Sequence, residues 1–152
     1  MGLGQQKVRV IVADDHAGVR ASLHRLLDRA GDLEVVGDAA NGIEVLEMVD
    51  ALKPDVLLLD MEMPQVDGVE VTRTLHKQGT LVRIIILSAY EEKGYIKNVM
   101  DLGAYAYLTK DEQPGDIIQA IRLAAQGKQV ARRDLYSPDY RLGYQGIGSN
   151  LG

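Results

Sequence analysis

Asp55-Val56-Leu57-Leu58-Leu59-Asp60-Met61-Glu62-Met63-Pro64 is the stretch on which the reading of this chain turns. Val56 to Leu59 are four consecutive aliphatic residues, too few for a free-standing helix and without alternation. That pattern suits a strand buried on both faces of a parallel sheet. Asp60 ends the run, and a carboxylate where a central strand leaves the core lies at the sheet's carboxyl edge, where open α/β folds keep their ligand sites. Alone, such an aspartate is most often an ordinary turn residue, so its meaning depends on what the neighbouring segments carry.

Toward the N-terminus, Val8 to Ala13 form a β-branched run that stops at Asp14-Asp15. Val19, Leu23, Leu26, Leu27 and Ala30 then recur at helical spacing before Gly31, and Leu33 to Gly37 predict a short second strand. Asn41, with Glu44 three residues on, heads a second helix whose buried stripe is expected to be Ile43, Leu46 and Val49 or Met48, broken by Lys53-Pro54.

Beyond Pro64, Asp67-Gly68 opens a third helix carrying Val69, Thr72 and Leu75 or His76, ending at Gly79. Val82 to Leu87 predict a fourth strand, and Ser88-Ala89-Tyr90 leads into a helix with Ile96, Val99 and Met100. After Gly103, Ala104 to Leu108 predict a fifth strand followed by Thr109-Lys110 and a turn over 111–115. Ile117, Ile118, Ile121, Ala124 and Ala125 mark the last helix, closed by Gly127. Five strand–helix alternations predict an α/β fold, a parallel sheet covered on both faces by right-handed crossovers. One domain is expected over 7–127, with 128–152 a linker or tail, partly disordered, and no second helical domain.

The chain has 152 residues, net charge −5 and no cysteine, phenylalanine or tryptophan. Its acidic balance, with a pI near 5.1, disfavours direct nucleic-acid binding and suits a divalent cation. Disulfides and thiolate chemistry are excluded. No apolar run suits a signal peptide or a membrane span, so a cytoplasmic protein is expected.

Asp14, Asp15, Asp60, Ser88 and Lys110 each stand just after a strand. In a parallel sheet these points share one edge, so residues nearly a hundred positions apart converge. Taken singly, an Asp pair is usually a solvated turn, a lysine a surface lysine and Ser88 a helix cap; it is their joint placement that signifies. Three carboxylates at close range repel, and hard oxygen donors with water access suit Mg²⁺. Lys110 supplies a second positive charge for a phosphoryl oxygen or for Asp60. An aspartate can accept a phosphoryl group, given in-line positioning and neutralised oxygens, which Mg²⁺, Lys110, the Ser88 hydroxyl and the Ala89 amide could provide. The edge therefore reads as a phosphorylatable aspartate.

In these features, including Met63-Pro64 with Asp67-Gly68 and Ser88-Ala89, residues 7–127 resemble the receiver domains of two-component response regulators. The opening Asp14-Asp15-His16 with Val19-Arg20 is most similar to the LuxR, NarL and FixJ-type subgroup. The resemblance implies the flavodoxin-like, CheY-like doubly wound five-stranded sheet of order 2-1-3-4-5. It implies Asp60 as phosphoacceptor, Mg²⁺ bound by Asp14, Asp15, Asp60 and the Glu62 backbone carbonyl, and the phosphoryl group held by Ser88, Ala89 and Lys110. Ser88 and Tyr107 would form the switch, with Tyr107 entering space that Ser88 leaves, and Glu62 and Tyr90 would tune phosphoryl lifetime.

A sensor histidine kinase is the implied donor, a homodimer and a DNA-binding output domain in a full-length protein the implied readouts. The chain would then be no conventional enzyme but a signalling switch that promotes its own phosphorylation and dephosphorylation. Two alternatives stand beside this reading: a phosphate-independent interaction module of the same fold, and a haloacid-dehalogenase-type phosphatase. The second expects Asp-x-Asp after the first strand, where this chain has adjacent acids. His24 and His76 read as surface residues, His16 as bordering the site, and Met61 and Met63 as packing.

Overall fold

A computed structural model describes residues 6–89 and 93–130, apart from the side chains at 93 and 95. Its elements alternate throughout: β1 (Val8–Ala13), α1 (Ala17–Asp28), β2 (Leu33–Ala39), α2 (Gly42–Leu52), β3 (Val56–Asp60), α3 (Gly68–Gln78), β4 (Arg83–Ser88), α4 (Lys93–Asp101), β5 (Ala106–Thr109) and α5 (Pro114–Ala125). The strands form one sheet of order β2-β1-β3-β4-β5, every pairing parallel. This is the doubly wound order expected, with β3 at the centre and all five of its residues buried.

Each sheet face has its own core. Val10, Val12, Leu58, Ile85, Leu87 and Leu108 pack against Leu23 and Leu27 of α1 and Ile117, Ala120, Ile121 and Ala124 of α5. On the other face Ile11, Leu57, Leu59 and Ile86 meet Val45 and Val49 of α2, Val71 and Leu75 of α3, and Val99 of α4. Neighbouring residues of the Val56–Leu59 run thus serve opposite cores, the reason that run shows no polar alternation.

Several expectations shift. The second strand runs two residues past Gly37, to Ala39, because pairing with β1 continues through Val12↔Asp38 and Ala13↔Ala39. Ile43 is not part of the buried stripe of α2. It is 46% exposed, while Val45 and Val49 face inward with Leu46, Met48 and Leu52 partly buried beside them. The cap itself is as read: Asn41 Oδ1 accepts the Glu44 amide at 2.9 Å, and Glu44 Oε1 reaches back to the Ala40 amide. In α3, Val71 and Thr72 are buried where Val69 is half-buried. Nor does the core stop at Gly127: Val130 is buried, forms a parallel bridge with Ala106, and donates its amide to the Tyr105 carbonyl. Residues 131–152 lie outside the described residues, as does Tyr90.

Two glycines let the loop after β3 pack close. A Cβ on Gly42 would sit 2.0 Å from the Val66 carbonyl oxygen, and one on Gly68 would sit 2.7 Å from that of Asp60. The start of α2 therefore presses on the loop that follows Asp60. Gly42→Ala is expected to lower stability by about 2 kcal/mol, because backbone, not a flexible side chain, has to move. The measurement is the urea midpoint at constant slope, and an unchanged midpoint would show that this loop yields freely.

Candidate functional site: an acidic pocket at the carboxyl edge of the sheet

Sheet register brings the acids together. Ala13 pairs with Leu59, so the next residues, Asp14 and Asp60, emerge side by side; Asp60 pairs with Leu87, and Ser88 with Thr109, so Ser88 and Lys110 follow at the same edge. The Lys110 amide donates to the Ser88 carbonyl at 2.8 Å, holding these two loops against each other.

Asp14, Asp60 and Ser88 are all buried, whereas Asp15, Glu62 and Ala89 are exposed at the rim. The Lys110 ammonium lies 2.8 Å from Asp14 Oδ2 and 3.4 Å from Asp60 Oδ2. The other oxygen of Asp60 accepts the Glu62 amide at 3.2 Å. The other oxygen of Asp14 accepts the His16 amide at 2.9 Å and lies 3.1 Å from His16 Nδ1. Each buried carboxylate is thus fixed at both oxygens. Arg20 completes the frame by donating to the Asp14 carbonyl at 2.8 Å.

The two buried acids titrate in opposite directions. Burial pushes the Asp60 carboxyl up, the Glu62 amide opposes this, the Asp14 charge adds to the rise, and Lys110, which lies nearer Asp14, compensates incompletely, so the group lies above its ordinary value. At Asp14 burial is again the largest influence and again raises, but the Lys110 hydrogen bond together with the His16 contacts outweighs it and the group lies below. Lys110, although burial opposes its charge, is held above its ordinary value by Asp14 and Asp60.

One donor atom from each of Asp14, Asp15, His16 and Asp60 lies within 4.8 Å of the others. Carboxylate oxygens at this spacing, partly open to water, fit a hard divalent cation such as Mg²⁺. A cavity of about 460 Å³ is lined by His16, Val19, Ser22 and Leu23 together with Lys110 and Ile117, among others. A second groove, of about 780 Å³, lined by Leu46, Pro54, Leu81 and Val82 among others, contains none of the acidic-pocket residues.

The structure brings together Asp14, Asp15, Asp60 and Lys110 as the spacing suggested, with Ser88 and Ala89 at the end of β4 and Glu62 following Asp60. Tyr107 is 3% exposed, packed in the core shared by α2, α3 and α4. His16 does more than border the site: its imidazole contacts two of the acids. Arg20 had no signal beyond its place in the opening motif, because a contact to a backbone carbonyl leaves no trace in spacing.

The profile described as "Response regulator receiver domain" matches residues 10–122. The transcriptional regulatory protein DegU of Brevibacillus brevis is 34% identical over 125 residues, 82% of this chain and 53% of that protein. The nitrate/nitrite response regulator protein NarL of Escherichia coli K12 is 33% identical over 126 residues, 83% of this chain and 58% of that protein. The chain thus spans little more than half the length of these relatives. The solved signal receiver domain of the putative response regulator NarL from Mycobacterium tuberculosis superposes with a TM-score of 0.78 at 36% identity, covering 81% of this chain and 99% of that one.

Proposed function

Because this chain belongs to the family of response regulator receiver domains, of NarL and DegU type, we propose that Asp60 accepts a phosphoryl group from a histidine kinase and that this sets the state of the α4–β5–α5 side. The observation that carries the reading is the buried Asp60 carboxylate, held by the Glu62 amide and within 3.4 Å of the Lys110 ammonium, at the edge where three acids meet.

Asp14, Asp15, Asp60 and the Glu62 backbone carbonyl would hold Mg²⁺, which supplies neutralisation of phosphoryl oxygens when bound. Among the chain's own groups, an Asp60 oxygen forms the new O–P bond as the N–P bond of the phosphohistidine breaks, and the released imidazole takes up a proton. Lys110 then exchanges part of its contact with Asp14 and Asp60 for the phosphoryl oxygens. The Ser88 hydroxyl and the Ala89 amide supply hydrogen bonds from the end of β4. Ser88 and Tyr107 lie on paired strands, and phosphorylation acts on Tyr107 by repacking a ring already buried. Glu62, exposed two residues past Asp60, and Tyr90 tune the lifetime of the acyl phosphate by limiting water.

The receiver core takes in residues 7–127 and Val130, which pairs with Ala106, and the residues beyond are a linker or tail. A LuxR-type DNA-binding domain and a dimer are the proposed readouts in the full-length protein, with DNA contacted by that domain and not by this one. No helix among the described residues is long and apolar enough to cross a membrane.

Intact mass after incubation with acetyl phosphate, with and without Mg²⁺, tests this. A Mg²⁺-dependent phosphoryl adduct is expected. Absence of any adduct would overturn the reading in favour of a phosphate-independent module, and steady turnover of phosphomonoesters would point to a phosphatase.

A further inference from the structure

His16 is a pocket residue whose side-chain chemistry the receiver reading does not use. Its ring is 68% exposed at the mouth of the site, yet Nδ1 turns inward, 3.1 Å from Asp14 Oδ1 and 3.0 Å from Asp15 Oδ1. The Asp14 oxygen that it faces is the one not taken by Lys110, whose ammonium lies on Oδ2. The His16 amide, bonded to the same Oδ1, holds the residue in place from the backbone. The acids on either side of Nδ1 therefore present it with oxygens free of the lysine.

Adjacent donors around an octahedral cation with bonds of about 2.1 Å lie roughly 3.0 Å apart. Both Nδ1–oxygen separations have that value, and Nδ1 belongs to the donor set that also includes Asp60. We infer that His16 is a further protein ligand of the cation site, giving it an imidazole nitrogen beside carboxylate oxygens and hence a preference for borderline first-row divalent cations over Mg²⁺. Imidazole adds little for a hard ion and much for cobalt or nickel, and the effect follows the general rise in affinity along that series. The inference rests on the acidic pocket being the cation site.

The same distances also suit a hydrogen bond from a ring N–H to the two carboxylates. That arrangement has the opposite consequence: the imidazole competes with the cation, and its removal strengthens binding of every divalent ion. Cation selectivity therefore separates the two.

The test is calorimetric titration of the full chain with Mg²⁺ and with Co²⁺, for the parent protein, His16→Ala and Asp15→Asn, together with proton NMR of the Co²⁺ forms. His16 is exposed enough for its truncation to leave the fold intact. Co²⁺ is expected to bind the parent protein at least tenfold more tightly than Mg²⁺. His16→Ala should lose about tenfold in Co²⁺ affinity with Mg²⁺ affinity within about twofold. A strongly shifted, exchangeable imidazole proton should appear with Co²⁺ and vanish in both variants. Equal or tighter binding of both cations by His16→Ala, or a shifted proton that persists there because Co²⁺ sits on His24 or His76, would overturn the inference. If Asp15→Asn leaves Mg²⁺ binding unchanged, the acidic pocket itself is not the cation site, and the failure lies with that underlying reading.

Discussion

Asp60→Asn is expected to take up no phosphoryl group from acetyl phosphate and, in the absence of divalent cation, to be more stable than the parent protein. The first result follows from losing the nucleophilic oxygen. The second follows from the electrostatics of the metal-free pocket. Asp60 is buried, its carboxyl is pushed up by that burial and by the Asp14 charge, and Lys110 lies nearer Asp14. Such a group binds its proton more readily folded than unfolded. Its favourable contribution is complete below the unfolded value of 3.8 and is lost as pH rises through the higher folded value.

The Asn side chain carries no such penalty and keeps an oxygen for the Glu62 amide. The stability difference should therefore open as pH rises above about 3.8, reach on the order of 1 kcal/mol near neutrality, and shrink when Mg²⁺ is added to the parent protein. Thermal melts of both proteins from acid to neutral pH, with and without Mg²⁺, check this. A variant less stable at neutral pH would show that the Lys110 contact outweighs burial at Asp60.

Lys110→Met should do the reverse. The side chain keeps its volume but leaves two buried carboxylates, Asp14 and Asp60, without their shared cation. Breaking a buried pair from one side costs about 3–5 kcal/mol, and since a quarter of the Lys110 side chain is exposed, a loss of about 3 kcal/mol is expected. Asp14 supplies the pH signature. Burial raises its carboxyl, but Lys110 and His16 together bring it below its ordinary value, so its contribution is present above 3.8 and is lost as pH falls through the folded value. Without Lys110 that contribution largely disappears, and the gap between parent and variant should close toward acid pH. Mg²⁺ should restore much of the stability by replacing the missing charge, while phosphoryl uptake stays depressed because no ammonium remains to share the phosphoryl oxygens with the metal. Equal stability of the two proteins at neutral pH without Mg²⁺ would show that water already screens the pair.

The two substitutions touch the same ion pair with opposite signs, because one removes surplus negative charge and the other removes what offsets it. That asymmetry is the cost of holding a reactive carboxylate in a half-dry pocket, and a cation relieves it.

Much of this molecule is legible along the chain. The unalternating Val56–Leu59 run, bounded by Asp60, identifies a central parallel strand because both faces of such a strand are dry. Strand-end acids, Ser88 and Lys110 recur at one phase of a repeating strand–helix unit, and parallel topology then puts them on one edge. Helix faces were harder to read: Ile43 lies at the start of α2 within the helical period, but the core contacts fall to Val45 and Val49. Periodicity defines a stripe only to within a residue or so, and packing against the sheet selects among its members.

Other features depend on distances that no spacing encodes. Asp67-Gly68 is legible as the opening of α3, whereas the need for Gly68, a Cβ contact at 2.7 Å with the Asp60 carbonyl, exists only once the loop folds back on β3. The same holds for Gly42 against Val66, and for Val130, whose single residue of pairing with Ala106 has no periodicity to announce it. The linear sequence thus determined the order of elements, the sheet they make and the edge where its charged residues gather, since those depend on hydrophobic period and strand polarity. Tertiary structure decided which oxygen of each acid meets Lys110, that His16 Nδ1 lies among the carboxylates and that Tyr107 is already buried, because these are contacts of a few ångströms set by register and loop closure.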